Sequence, residues 1–358
     1  MDKEGVFRNE SALSPEFLPE RLPGRESEIS AIASFLAPAC EGRRPRNLFI
    51  HGGTGTGKSS SAKYVMRQLE EAPGKAVPIY VNCWSDGTRA AVLSRVSHAL
   101  QLPLPRRGLA GDEVFNRAVE LLKAEKKIPV VFLDEVDSLS SGEEKVLYDL
   151  SRSGEVFGAP MGVVCIANDR AFFANLDQRI RSSFAGTEIE FKQYSPPQLK
   201  QILGERAKAA FFAGACPEEV IALCAAHGAK MGGDARVAIE TLWFAGRIAE
   251  KAGKTKLAVA DARAAIDTAT RTGAEKAAQT NLAQKISSLA EGERLIIDIL
   301  AKGKEMTSGD LYVEYVKKRP ESERTIRNYL EKLQAKKLIK VEDVGGSEGR
   351  TRRITLTH

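Results

Sequence analysis

The stretch HGGTGTGKSS, residues 51–60, restricts the fold of this chain more than any other segment. It follows an apolar run, Leu48 to Ile50, and precedes a helical pattern through AKYVMRQL. Strand, glycine loop and helix in that order are the context in which Gly52-x4-Gly57-Lys58-Ser59 acts as a phosphate-binding P-loop. Glycines let backbone N–H groups curl around a phosphate where a side chain would clash. Lys58 is expected to reach the β and γ oxygens, and Ser59 to ligate Mg2+. Gly52, Gly53, Thr54, Gly55, Thr56, Gly57, Lys58, Ser59 and Ser60 are thus the candidate binding residues for ATP or ADP. Such a loop sits on a parallel α/β sheet.

The stretch IPVVFLDEVDSL reads as a buried strand ending in Asp134 and Glu135. A carboxylate at that end of a strand lies where doubly wound sheets bind ligands. Asp134 would hold Mg2+ through water, and Glu135 would orient or deprotonate an attacking water. A water-activating glutamate implies hydrolysis rather than phosphate transfer to a small molecule. A third strand, GVVCIAND, brings Asn168 to the same edge as a candidate γ-phosphate contact. Arg179 and Arg181 follow in NLDQRIRSSF, and Arg236 begins an amphipathic helix in GGDARVAIETL. Arginine suits phosphate because its donor fork is planar and permanently charged.

Beyond SPPQLKQIL the chain is Ala-rich and helical, with breaks at Gly214–Pro217 and Gly228–Gly233, which predicts a small helical bundle. The last quarter changes rhythm. EGERLIIDILAKG, TSGDLYVEYVKKR and SERTIRNYLEKLQAKKLI read as three helices, and IKVEDV and TRRITLT as a β-hairpin around GGSEG. Three helices and a hairpin make a winged helix-turn-helix. Charge agrees, because residues 271–358 carry 18 Lys/Arg against 13 Asp/Glu in a chain of formal net charge +6. Helical spacing turns Ile326, Leu330 and Leu333 inward and presents Arg324, Thr325, Arg327 and Asn328 at the groove-reading end. The hairpin offers Arg350, Arg352 and Arg353 to phosphates or the minor groove. A proline-stiffened tip, LPLPRRGLAG, adds Arg106 and Arg107 as a further DNA candidate.

In the order P-loop, Asp-Glu strand end, Asn sensor and GDAR in a helical lid, the chain resembles the AAA+ ATPases. More narrowly, LPGRESEI, IYVNCWSDGTRAAVLSRV and NLDQRIRSS resemble the archaeal origin-recognition and replication-initiator family, related to eukaryotic origin recognition subunits and the helicase-loading initiator. The resemblance implies a base domain over residues 1–194 with a helical insert at about 88–125. It implies a lid over 195–275 carrying the Arg236 sensor, and a winged-helix domain over 276–358. It also implies that Arg25 to Ile29 lie beside the adenine. The pattern departs at RSSF, where Ser183 stands in place of the finger arginine of relatives with a Ser-Arg box, leaving Arg179 or Arg181 as candidate fingers.

The function implied is an ATP-regulated initiator that hydrolyses ATP slowly, binds double-stranded origin DNA beside another initiator subunit, and recruits the replicative helicase. The alternatives are a fast clamp-loader-like or helicase-loader motor, and a transcription regulator with a residual ATPase fold. No apolar run reaches bilayer length and the N-terminal residues lack a signal-peptide layout, so a cytoplasmic, nucleoid-associated protein without a membrane partner is expected. Five scattered cysteines without a C-x-x-C read as free thiols rather than a zinc site.

Overall fold

The computed structural model describes residues 5–100, 111–156, 158–268, 291–303, 305–335, 339–346 and 349–356. The chain divides into two units, Met1–Asp267 and Thr268–His358. The first unit opens with α1 (Glu26–Leu36), β1 (Leu48–His51), α2 (Lys58–Glu71) and β2 (Ala76–Asn82). The insert helices α3 (Arg89–Ala99) and α4 (Gly111–Glu125) come next, then β3 (Ile128–Asp134). It continues through α5 (Lys145–Ser151), α6 (Ser153–Val156), β4 (Gly162–Ala167), α7 (Arg170–Asn175), α8 (Gln178–Ser182) and β5 (Glu188–Glu190). The strands form one parallel sheet in the order β2-β3-β4-β1-β5.

Pleating explains why β1, β3 and β4 are apolar throughout. Successive side chains point to opposite faces, and helices cover both faces of a parallel sheet. Phe49, Val131, Leu133, Val163 and Cys165 pack on one side with residues of α3, α4 and α5. Leu48, Ile50, Val130, Phe132, Val164 and Ile166 pack on the other with α1 and α2. Register brings His51 beside Ala167 and Asn82 beside Asp134, so the loops after β1, β3 and β4 emerge on one edge.

The lid consists of α9 (Pro196–Ala210), α10 (Glu218–Lys230), α11 (Ala235–Lys251) and a helix through 259–268, α12. α9 opens on two prolines, and the Gln198 side chain accepts the Ser195 N–H at 2.9 Å, closing its first turn. The lid core is shared with the beginning of the chain: Val6, Ala12 and Leu13 are buried among Leu203, Phe211, Leu242 and Ala245. Phe7 stacks on Phe211 at 4.9 Å, and the backbone N–H groups of Arg8 and Asn9 both donate to the Ala210 carbonyl. Residues 5–19 are therefore a strap on the lid.

The second unit contains α13 (Glu291–Gly303), β6 (Glu305–Thr307), α14 (Ser308–Lys318), α15 (Glu323–Ala335), β7 (Ile339–Gly346) and β8 (Gly349–Leu356). Its antiparallel sheet has the order β6-β8-β7. Ile296, Leu311, Tyr315, Ile326, Leu333 and Ile354 form its core. The three-residue strand β6 was not expected; it is too short to alternate visibly, and Met306 pairs with Ile354 to complete the sheet. Among the described residues no helix is long and apolar enough to cross a membrane. The molecule is thus a parallel-sheet α/β domain with a helical lid, followed by three helices and a small antiparallel sheet in the arrangement of a winged helix.

Candidate nucleotide site and nucleic-acid interface

The P-loop leaves β1 and turns into α2 through Gly55 and Gly57, whose φ angles of 67° and 86° are left-handed. Both positions are also crowded. A Cβ on Gly57 would stand 2.4 Å from the Tyr194 hydroxyl, and one on Gly55 would stand 1.7 Å from Asp234 Oδ1. Only glycine satisfies the dihedral and the space together.

Lys58 begins α2 and is nearly buried, its ammonium donating to the carbonyls of Gly52 at 2.6 Å and Gly53 at 2.8 Å and to Asn168 Oδ1 at 3.1 Å. Burial holds this ammonium below the ordinary lysine range; Arg236 adds to the depression and Asp134 opposes it. Lys58, Asn168, Asp134 and Arg236 therefore converge from the start of α2, the turn after β4, the end of β3 and the lid on one cleft of about 940 Å³, lined also by Thr56, Ser59, Ser60 and Glu135. That volume suits a nucleotide-sized ligand.

Asp134 is 3% exposed and has two hydrogen-bond donors, the Tyr80 hydroxyl on Oδ2 at 2.6 Å and the Glu135 N–H on Oδ1 at 3.0 Å. Burial, and next the Asp134 carboxylate, push the Tyr80 hydroxyl far above the ordinary tyrosine range, so it remains a donor. Glu135 adopts φ 55°, one of two described non-glycine residues at positive φ. Such strain costs of order 1–3 kcal/mol and gathers at functional sites. Asp137 holds Asn168 in place by accepting its N–H at 3.0 Å. The reading of the sequence missed Tyr80 and Asp137; a lone phenol in an apolar strand and a second aspartate in DEVD were the available signals.

Among the described residues no three His, Cys, Asp or Glu side chains gather to hold a metal alone. Ser59 and Asp134 offer hard oxygen donors beside a phosphate-binding loop. That fits Mg2+, which takes one or two protein oxygens and completes its octahedron with phosphates and water.

Arg25 sits just outside the lining of the cleft. The cleft wall is built from Glu10 to Pro23, not from Arg25 to Ile29. Arg25 is 3% exposed and lies beneath the P-loop, where it donates to the Thr56 carbonyl at 2.8 Å and the Lys192 carbonyl, pairs with Glu28 at 2.8 Å and stacks over Tyr194 at 3.9 Å. A guanidinium so fully engaged braces the loop from below. The strap lines the cleft together with residues of the lid. Trp243 Nε1 donates to Glu10 at 2.7 Å, Arg206 donates to the Ala12 carbonyl at 2.8 Å, and the same guanidinium lies 5.0 Å above the Phe17 ring. Burial brings Arg206 down to about 10.

Of the candidate fingers, Arg179 pairs with Asp177 at 3.1 Å and Arg181 is exposed. Ser183 and Ser182 accept from Arg152 at 3.3 and 3.2 Å, so an arginine from the end of α5 reaches the place where the motif lacks one.

In the winged helix, Arg324, Arg327 and Asn328 are exposed on α15 and Thr325 is half-buried, its N–H donating to Ser322 Oγ at 3.2 Å. Arg327 pairs loosely with Glu323 at 3.4 Å. Arg350, Arg352 and Arg353 fall on β8 opposite Gly345, Asp343 and Glu342. Arg106 and Arg107 lie outside the described residues.

Residues 21–164 match the AAA ATPase domain family, and residues 200–267 match the Cdc6 AAA+ ATPase-type lid domain. The chain is 34% identical over 324 residues to ORC1-type DNA replication protein 1 of Sulfolobus acidocaldarius, covering 88% of the chain and 80% of the relative. It is 33% identical over 374 residues to the ORC1-type DNA replication protein of Pyrococcus abyssi, covering 98% and 87%. Among solved structures, that of the Aeropyrum pernix ORC1 protein in complex with DNA superposes with a TM-score of 0.70 at 30% identity, covering 99% of this chain and 94% of the other.

Proposed function

Because the chain belongs to the family of ORC1-type DNA replication proteins, we propose that it is a replication initiator whose hold on origin duplex DNA is set by the nucleotide in its AAA+ domain. The observation that carries this is the convergence of Lys58 from the P-loop and Arg236 from the lid on one cleft. An anion between two such cations draws lid and base together, so ATP and ADP favour different lid positions. Gly52 to Ser60 cradle the phosphates, and Ser59 and Asp134 hold Mg2+, which when bound neutralises phosphate charge. Glu135 orients the attacking water and Asn168 touches the γ-phosphate. Arg324, Thr325, Arg327 and Asn328 read base edges, while Arg350, Arg352 and Arg353, with Arg106 and Arg107, contact the backbone. On DNA the chain meets another initiator subunit and recruits the replicative helicase, which implies a nucleoid location.

Arg152, Ser182 and Ser183 occupying one another favours a slow switch over a motor, since no arginine is left presented directly after the serine. Steady-state ATP turnover with and without duplex tests this. Fewer than about one turnover per minute is expected; many per second would mean a barrier lower by roughly 3 kcal/mol and would identify a motor.

A further inference from the structure

We propose that Tyr80 is the residue that positions Asp134 for Mg2+, so that the tightening of ATP binding by the metal depends on this phenol; this rests on the nucleotide–metal reading above. Tyr80 stands on β2, the edge strand, opposite Phe132 in register. Its hydroxyl reaches past that pair to Asp134 Oδ2 at 2.6 Å. Asp134 forms no ion pair among the described residues, and its other donor is the N–H of its own neighbour Glu135. One carboxylate oxygen is thus held from the next strand and the other from the turn that follows. The carboxylate plane is fixed, with two of its four lone-pair positions left for the cleft it lines. Without the phenol, Asp134 Oδ2 would be a buried acceptor with no donor, and only the Glu135 N–H on Oδ1 would hold the carboxylate.

Lys63 adds to the arrangement. Its ammonium sits 5.0 Å over the Tyr80 ring and also lines the cleft. The ring is therefore gripped between a cation at its face and a carboxylate at its hydroxyl. Hydrogen-bond donors behind a metal-binding carboxylate set its orientation, and their loss costs 10- to 100-fold in metal affinity as a general order of magnitude.

The test compares ATP affinity of the full chain in excess Mg2+ and in EDTA, by calorimetry. Tyr80→Phe is expected to bind ATP in EDTA as wild type does, while the tightening by Mg2+ shrinks about tenfold. In the Asp134→Asn background the same change is expected to have no further effect, because the phenol acts through that carboxylate. Undiminished Mg2+ tightening in a folded Tyr80→Phe, or an equal loss in EDTA, overturns the role of Tyr80 and leaves the nucleotide site standing. A wild-type chain that Mg2+ does not tighten overturns the nucleotide–metal reading itself, and this inference with it. Thermal melting with and without ATP confirms the fold of each variant. Should Tyr80→Phe not fold, Tyr80→Met supplies the comparison: wild-type affinity in EDTA with diminished tightening by Mg2+ is expected, and undiminished tightening overturns the role of Tyr80.

Discussion

The carboxylate of Asp234 fills the space that a side chain on Gly55 would need. Its Oδ1 caps α11 by accepting the Arg236 N–H at 2.7 Å, while the Ala235 N–H donates to the Gly55 carbonyl at 3.2 Å. The crest of the P-loop and the first turn of α11 are one hydrogen-bonded piece.

Gly55→Ala should therefore act on the lid as well as on the loop. The left-handed φ costs a non-glycine residue about 1–2 kcal/mol, and the new methyl displaces the cap of the helix that bears Arg236. A loss of ATP affinity of at least about tenfold is expected by calorimetry, together with a lower melting temperature. Unchanged affinity would mean that lid and loop move apart freely.

Asp137→Ala removes the acceptor that anchors the Asn168 N–H. The phosphate cradle is untouched, so ATP turnover should fall by about an order of magnitude with little change in KM. A parallel rise in KM would assign Asp137 to binding instead.

Arg206→Met keeps the volume but leaves the Ala12 carbonyl without its donor. Relief of a desolvated cation offsets much of the lost hydrogen bond, so net stability should change by less than about 2 kcal/mol. The strap, by contrast, should become cleavable by protease within residues 8–19 at rates well above wild type, as limited proteolysis followed by mass spectrometry would reveal.

Arg327→Ala should cost about 1–3 kcal/mol at a preferred duplex site and relax sequence preference there. Footprinting and competition binding measure both, and an unaltered footprint would remove α15 from the groove.

Changing Arg350, Arg352 and Arg353 together to Ala should flatten the dependence of log affinity on log salt, because each phosphate contact releases counterions. A slope equal to wild type would leave the wing clear of DNA.

Gly55 to Ser60, Asp134, Glu135, Asn168 and Arg236, which line the cleft, were legible in the sequence because each belongs to a short local motif. Backbone geometry is written into Gly52 to Gly57, and a carboxylate at the end of IPVVFLD announces its own position. The inward set Ile326 and Leu333 on α15 followed from spacing alone. What was not legible depends on distant partners. Arg25 resembles any arginine before a helix until Thr56 and Tyr194 fold over it, and Tyr80 acquires its meaning only when β2 pairs with β3. The strap is the extreme case, since Glu10 and Trp243 meet across most of the first unit. No local pattern near Glu10 forecasts that meeting.

That meeting also bears on how the protein is born. One wall of the cleft leaves the ribosome at Glu10 to Pro23, the P-loop follows within a few dozen residues, and the surfaces against which the wall packs, on α9 and α11, come about 170 residues or more later. A nascent chain that has already completed its P-loop still holds an open trough rather than a pocket. The cleft gains its lid wall only after α9 and α11 have been synthesised, while the second unit is still to come.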